Sequence, residues 1–298
     1  MNDTPAKTAA STDSGIQVIP TGTALGADIT GFNINAINDA DAAFIHQAWL
    51  DHLVLRIRGQ QFGDDVHLAF ARQFGELDLC PPAKFAKPYL PDYPEMSCIT
   101  NLKDKDGKPL GSLANYECLW HTDMSYIDSP PTGSVLHAIE IPPSGGETSF
   151  ANMYMAYETL PDDIRTRIDL LKIKHDPTFT SDGKLRLGFT KPETTDVREL
   201  PGPLHPIART HPDTGRKALY LGRRKNSYID GLELEESEAL LDTLWAHASQ
   251  EKFSWTQNWQ VGDLIMWDNR CCMHRRNAFD DNDRRLMHRT VIQGDRPF

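Results

Sequence analysis

The order of apolar and polar positions along the chain predicts a β-rich protein with few helices. Short apolar or alternating runs between turn-forming residues predict strands at residues 17–19, 27–32, 53–57, 135–141, 207–210, 218–221, 253–259, 263–267 and 286–292. Amphipathic spacing and end signals predict helices at residues 39–52, 65–74, 153–160, 162–171 and 232–250. The proline-rich residues 78–106 and the polar residues 176–204 are predicted to be mostly irregular. We therefore predict a mainly β fold with peripheral helices.

The chain shows no internal repeat and no low-complexity linker. We expect residues 1–14, which are polar, to form a disordered N-terminal lead-in. Residues 15–298 are expected to form a single domain, because a chain of this length can bury a sizeable core without disulfide or metal staples.

The charge of the chain bears on its partners. Its 31 Lys and Arg residues and 42 Asp and Glu residues give a formal net charge of −11. Nucleic acids and anionic membranes are bound by basic surfaces, so the sequence predicts neither partner. Residues 267–298 nevertheless hold seven arginines and five aspartates, a local balance of +2. This segment is a candidate for binding a small anion.

The cysteines and the N-terminus bear on the compartment. Five cysteines, an odd number without a CxxC spacing, do not fit a secreted disulfide framework. The first residues lack the apolar segment of a signal peptide, and no apolar run reaches the length of a membrane span. We expect a cytoplasmic protein that does not enter a membrane.

Candidate chemistry is concentrated in the sequence Trp-His-Thr-Asp at residues 120–123. If this segment is a strand, His121 and Asp123 point to the same face and can share one metal ion. Two histidines and one carboxylate on one face are typical of non-haem Fe(II) oxygenases. A second His-x-Asp, beginning at His211, is followed by Thr and Gly and contains Pro, which predicts a hairpin turn.

Several motifs occur in an order that resembles one enzyme family. They are residues 26–31 (GADITG), 70–75 (FARQFG), 120–123 (WHTD), 145–148 (GGET) and 267–270 (WDNR). Together they resemble the taurine dioxygenase / 2,4-dichlorophenoxyacetate dioxygenase family of Fe(II)/2-oxoglutarate-dependent dioxygenases. The resemblance implies a double-stranded β-helix (jelly-roll) core.

The resemblance also implies roles for individual residues. It makes His121, Asp123 and His274 the iron ligands, and it places Thr148 and Arg285 on the distal carboxylate of 2-oxoglutarate. A planar guanidinium suits that carboxylate because it can bind both oxygens.

The sequence leaves alternatives open for two of the arginine assignments. Arg289 matches the family arginine that meets the anionic group of the substrate, but a salt bridge to an exposed carboxylate is an alternative. Arg284 and Arg285 could exchange roles, because only the family spacing prefers Arg285.

Two positions depart from the taurine enzyme and are candidate substrate contacts. Cys80 stands where that enzyme has a histidine for the sulfonate, and Glu117 stands where it has an asparagine. A buried Glu117 would repel an anionic head group unless it faced a cation or a hydroxyl. The sequence therefore disfavours taurine and favours a small organic acid with an apolar body, aryloxyalkanoate-like or related.

The implied reaction uses Fe(II), 2-oxoglutarate and O₂, hydroxylates the substrate and releases succinate and CO₂. Hydroxylation next to an ether oxygen would also cleave the C–O bond. Relatives often form dimers or tetramers, so a homo-oligomer is expected. A metal-dependent hydrolase with the same three ligands, or a non-catalytic binding barrel, are the alternatives.

Overall fold

The computed structural model describes residues 10–11, 15–80, 89–111, 119–180, 184–186 and 188–298. Its α-helices are α1 (Asp39–His52), α2 (Asp64–Arg72), α3 (Met153–Glu158), α4 (Asp162–Ile168) and α5 (Leu234–Ala248). Short 3₁₀ helices lie at Ile34–Ala36 and Glu251–Phe253. The strands are β1 (Ala10–Ser11), β2 (Gln17–Pro20), β3 (Ala27–Thr30), β4 (Val54–Ile57), β5 (Met96–Thr100), β6 (Gly133–Glu140), β7 (Thr148–Asn152), β8 (Lys172–Lys174), β9 (Leu204–Pro206), β10 (Ala208–Thr210), β11 (Lys217–Leu219), β12 (Tyr228–Ile229), β13 (Ser254–Gln257), β14 (Leu264–Asp268), β15 (Cys272–Arg276) and β16 (Leu286–Ile292).

Eight strands form a large sheet in the order β1-β2-β3-β4-β14-β6-β16-β5, antiparallel except between β3 and β4. Side chains alternate across this sheet, as the pleat requires. In β14, Leu264 and Met266 pack in a core cluster with residues of α1 and α2. Ile265 and Trp267 belong to the cluster on the opposite face. The large sheet is therefore covered on one face by α1 and α2.

A three-stranded sheet of β13, β7 and β15 covers the other face. Phe150 of β7 and Met273 of β15 share one apolar cluster with Ile265 and Met287 of the large sheet. Helix α5 adds Leu240 and two further leucines to the same cluster. The main core thus lies between two sheets, and β15 brings the chain around His274 to that core.

The apolar pattern located most elements correctly. All nine predicted strands and all five predicted helices overlap an observed element of the same type, and 39–52 and 286–292 match to the residue. The pattern missed the short strands β1, β8, β9 and β12, the strand β5 within the predicted loop 78–106, and the strands β7 and β15. Strands β7 and β15 were not predicted because neither alternates apolar with polar residues. All five residues of β7 are buried, and β15 buries the polar residues His274 and Arg276.

The mainly β fold with few helices is confirmed. Two residues of the lead-in predicted to be disordered, Ala10 and Ser11, pair with β2, and the rest of residues 1–14 lies outside the described residues. Within the described part of the chain, none of the helices is both long enough and apolar enough to cross a membrane.

Gly133 provides a test of how closely the large sheet packs on α1. A Cβ at this position would lie 2.4 Å from the Trp49 ring and 2.6 Å from the carbonyl oxygen of Trp267. Gly133→Ala should lower the free energy of unfolding by about 1–3 kcal/mol, because overpacking forces these groups apart. Gly63→Ala is the control, since no atom lies within 4 Å of its Cβ position. Urea unfolding of both variants checks this, and equal losses would contradict the packing described.

Candidate metal centre

Backbone hydrogen bonds hold the segment that carries the first two predicted ligands. The N–H of His121 donates to the carbonyl of His274 at 2.9 Å, and the N–H of His274 donates back at 2.8 Å. The next residue, Thr122, donates its N–H to the carbonyl of Gly222. The segment is an isolated bridge followed by a turn, so the condition that it forms a strand is not met. The bridge to β15 joins the two histidines instead.

The three side chains predicted as ligands lie together and are buried. One ligand atom from each of His121, Asp123 and His274 lies within 4.8 Å of the other two. Nε2 of His121 is 3.7 Å from Oδ1 of Asp123, and Nε2 of His274 is 3.9 Å from Oδ2. The fold therefore brings two imidazoles and one carboxylate to a single point.

The orientation of the His121 ring suits a metal ligand. Its Nδ1 lies 2.9 Å from the carbonyl oxygen of Leu119. Because a carbonyl only accepts, Nδ1 carries a hydrogen, and Nε2 is the ring nitrogen that faces Asp123 and is placed to bind a metal ion. Histidine ligands commonly donate their second ring N–H in this way. Two histidines and a carboxylate are also the donor set that Fe(II) takes in non-haem oxygenases, so these residues fit that ion.

Asp123 lies in a positive environment. Nη1 of Arg289 donates to Oδ2 of Asp123 at 3.1 Å. Burial by itself would raise the pKa of Asp123, but Arg289 and the two histidines hold that pKa well below its ordinary value. The carboxylate is ionised at neutral pH, as a metal ligand must be. Arg289 thus has a carboxylate partner, although this partner is buried Asp123 and not an exposed acid.

The neighbouring arginines 284 and 285 occupy opposite environments. The Arg284 side chain is 64% exposed and forms a surface ion pair with Glu140. Arg285 is only 2% exposed, and its Nε has no hydrogen-bond acceptor among the described residues. Burial and the nearby charge of Arg276 lower the pKa of Arg285 to about 9. Of the two, only Arg285 is a buried cation that a bound anion could stabilise.

Thr148 is buried at the start of β7, next to the glycine turn that approaches Arg285. Nε of Arg285 lies 3.6 Å from the position that a Cβ on Gly146 would take. The indole N–H of Trp259 donates to Oγ1 of Thr148 at 3.1 Å. With an acceptor site of Oγ1 used, the hydroxyl hydrogen can be donated to an anion. Sequence reasoning missed Trp259, since its contact joins residues that are far apart in the chain.

Of the two candidate substrate contacts from the sequence, the structure describes Cys80. Cys80 is buried, and its N–H donates to the carbonyl of Pro94 at 3.0 Å. Within the described ranges, no hydrogen bond or ion pair joins Cys80 to the triad. Glu117 lies outside the described residues. Both substrate roles remain predictions.

The second His-x-Asp motif is a turn, as predicted, and it belongs to a buried ion network. Nε2 of His211 lies 2.9 Å from Oδ2 of Asp268, while its Nδ1 accepts the backbone N–H of Asp213 and of Thr214. Arg270 pairs with both Asp268 and Asp213. Both ring nitrogens of His211 are already used, so this cluster supports the fold and does not offer a metal site like the first.

A comparison with known families agrees with this geometry. Residues 17–291 match the family described as "Taurine catabolism dioxygenase TauD, TfdA family". The chain belongs to this family. The matched residues include all three members of the triad as well as Thr148 and Arg285.

Individual relatives cover nearly the whole chain. An α-ketoglutarate-dependent 2,4-dichlorophenoxyacetate dioxygenase of Burkholderia sp. (strain RASC) is 34% identical over 88% of each chain. Pentalenolactone F synthase of Streptomyces avermitilis is 34% identical over 93% of each chain. The solved structure of AAD-2 with Mn(II) and N-oxalylglycine is 30% identical, with a TM-score of 0.78 over 95% of this chain and 98% of that one.

Family membership confirms the predicted enzyme class. The protein is an Fe(II)/2-oxoglutarate-dependent dioxygenase, an oxidoreductase that uses Fe(II), 2-oxoglutarate and O₂. Neither a hydrolase nor a non-catalytic barrel, the two alternatives left by the sequence, is supported by this membership.

The network around Asp268 predicts a pH-dependent contribution to stability. Burial alone would raise the pKa of Asp268, but Arg270 and His211 hold it below its ordinary value. A carboxylate with a depressed folded pKa stabilises the protein above its unfolded pKa of about 3.9, and this stabilisation is lost as the pH falls toward the folded pKa. Asp268→Asn should therefore cost about 2–4 kcal/mol at pH 7, because Arg270 loses its buried partner and keeps only the partly exposed Asp213.

The measurement is urea unfolding of both proteins between pH 7 and pH 3. The difference between wild type and Asp268→Asn should narrow below about pH 5. A difference that stayed constant across this range would contradict the role given to the Asp268 charge.

Proposed function

We propose that the protein binds Fe(II) through His121, Asp123 and His274 and hydroxylates a small organic acid. The observation that carries this proposal is the buried set of two imidazoles and one carboxylate whose ligand atoms lie within 4.8 Å of one another. Three ligands on one face leave the remaining positions of an octahedral ion open for a cosubstrate and O₂. The bridge between His121 and His274 would hold two of the ligands before the metal arrives.

We assign the distal carboxylate of 2-oxoglutarate to Arg285 and Thr148. Arg285 is a buried cation whose Nε has no acceptor among the described residues, which makes an incoming carboxylate favourable there. Thr148 would add a hydroxyl donor, oriented by the indole N–H of Trp259. The 2-oxo acid end of the cosubstrate would then face the metal.

Arg289 is proposed to recognise the anionic group of the prime substrate. It already lies beside the triad, with its guanidinium 3.1 Å from Asp123. A divalent ion on Asp123 would take over part of that charge pairing and leave Arg289 able to bind a second carboxylate. This supports an acid as the substrate, as in the relative that acts on 2,4-dichlorophenoxyacetate. Cys80 and Glu117 remain proposed substrate contacts.

The cofactors and the protein divide the chemistry between them. Fe(II) and 2-oxoglutarate supply the oxidation, in which O₂ gives one oxygen atom to succinate, formed with CO₂, and the other to a C–H bond of the substrate. The chain orients the ligands, fixes the distal carboxylate and excludes water. If the oxidised carbon carries an ether oxygen, the resulting hemiacetal collapses and the C–O bond is cleaved.

We also propose the finer description of the fold and its setting. The two sheets that share one core support a double-stranded β-helix within one domain spanning residues 15–298. We further propose a cytoplasmic homo-oligomer, a dimer or tetramer, that binds neither nucleic acid nor membrane. The net charge of −11 and the free buried cysteines Cys80, Cys98, Cys271 and Cys272 support this setting.

The adjacent arginines 284 and 285 offer a matched test of the cosubstrate site. Arg285→Ala should raise the KM for 2-oxoglutarate about 10- to 100-fold, because hydrogen bonds to charged groups contribute about 1.5–3 kcal/mol. Arg284→Ala removes the same charge from the surface and should leave this KM unchanged. Succinate formation against 2-oxoglutarate concentration checks both variants. Equal effects, or no effect at Arg285, would refute the assignment.

The substrate proposal is tested by screening small acids for succinate release. Aryloxyalkanoates should stimulate release more than taurine does, and the primary amide of an active acid should stimulate it weakly. Arg289→Ala should raise the KM for the acid about 10-fold or more, with a smaller effect on its amide, since only the acid loses a charge-assisted contact. If no acid released succinate from protein that binds Fe(II) and 2-oxoglutarate, the substrate class would be wrong.

A further inference from the structure

Asn269 is a buried polar residue to which the proposed function assigns no role. It follows β14 within the Trp-Asp-Asn-Arg motif, and its side chain is fully buried. A buried amide side chain needs hydrogen-bond partners for its acceptor oxygen and for the two hydrogens on its nitrogen. Those partners indicate what the residue does.

The Asn269 amide is bonded to both backbone groups of Asp123. Its Oδ1 accepts the N–H of Asp123 at 2.9 Å, and its Nδ2 donates to the carbonyl of Asp123 at 3.0 Å. The second hydrogen on Nδ2 goes to the carbonyl of Pro131 at 3.1 Å. One N–H donor and two carbonyl acceptors fix the orientation of the amide, and every polar atom of the side chain is satisfied.

Asp123 needs such a partner because of where it lies in the chain. His121 is paired with His274, and Thr122 is bonded to Gly222, but Asp123 is the first residue of a turn. The following residue, Met124, has a φ of 48°, a left-handed conformation that directs the chain away from the bridge. The Asn269 side chain forms with the N–H and the carbonyl of Asp123 the two hydrogen bonds that a neighbouring strand would otherwise form.

Asn269 is itself anchored on both sides. Its N–H donates to the carbonyl of Thr132 at 2.9 Å. Its chain neighbours Asp268 and Arg270 form the buried ion pair that also includes His211. The amide is therefore presented to Asp123 from a segment that is bonded to its surroundings on both sides of Asn269.

We propose that Asn269 is a positioning residue that sets the backbone of Asp123 and thereby the place of its carboxylate in the metal site. The inference rests on the proposed function, in which Asp123 is an iron ligand. Without the amide, the turn at Asp123 could shift, and the carboxylate would no longer be held 3.7 and 3.9 Å from the two imidazoles. Outer partners of metal ligands commonly influence affinity in this way.

A purely structural role makes a different prediction. If Asn269 only satisfied buried backbone groups, its loss would lower stability but leave the metal affinity of the folded protein unchanged. Ile29→Ala serves as the matched control. Ile29 is buried in β3, in the cluster on the helix-covered face of the large sheet, so its truncation lowers stability without touching Asp123.

The experiment is a titration of the metal-free protein with Co(II), read by visible absorption, together with urea unfolding of each variant. Asn269→Ala should bind Co(II) about 10- to 100-fold more weakly and with an altered spectrum. Asn269→Asp keeps an acceptor for the N–H of Asp123 but loses at least one of the two donors, so it should also bind more weakly. Ile29→Ala should retain the wild-type affinity and spectrum.

The outcomes separate the two proposals. Wild-type Co(II) affinity in both Asn269 variants would overturn the positioning role, as would an equal loss of affinity in Ile29→Ala. If Asn269→Ala fails to fold, Asn269→Asp, which is nearly isosteric, decides the question. A wild-type protein that bound no Co(II) would instead contradict the proposed metal site.

Discussion

His121 and His274 exchange two backbone hydrogen bonds, and this bridge joins segments that are distant in the chain. The bridge places the two imidazoles side by side, with ring centroids 4.2 Å apart. It also fixes where the chain turns, so that Asp123 meets both rings. The two sheets hold the bridge in place, because β15 is bonded to β7 and packs on the same core as the large sheet.

The electrostatics of the site follow from burial around this bridge. A buried carboxylate needs compensation, and Asp123 receives it from Arg289 and the imidazoles. Arg285 shows the opposite case, a buried cation whose pKa is lowered by burial and by Arg276. One part of the site is thus suited to a metal cation and another to an anion, which matches the needs of an enzyme that binds Fe(II) and a dicarboxylate.

Local pattern and family motifs predicted much of this arrangement. The spacing from His274 selected Arg285 over Arg284, and burial agrees with that choice. Other features depend on contacts between distant segments and left no local signal. The strand around His274 was missed because it buries the polar residues His274 and Arg276 beside its apolar ones. The role of Asn269 becomes visible only when the fold brings it next to Asp123. The sequence also could not show that Asp123 begins a turn, because that depends on the bridge.

The central claim is that His121, Asp123 and His274 form one Fe(II) site that takes 2-oxoglutarate. Its most direct test is the anaerobic addition of Fe(II) and 2-oxoglutarate to the metal-free protein, followed in the visible range. We expect a weak metal-to-ligand charge-transfer band that requires both additions and is absent in His121→Ala. A wild-type protein that formed no band, or a band of equal strength in His121→Ala, would contradict it.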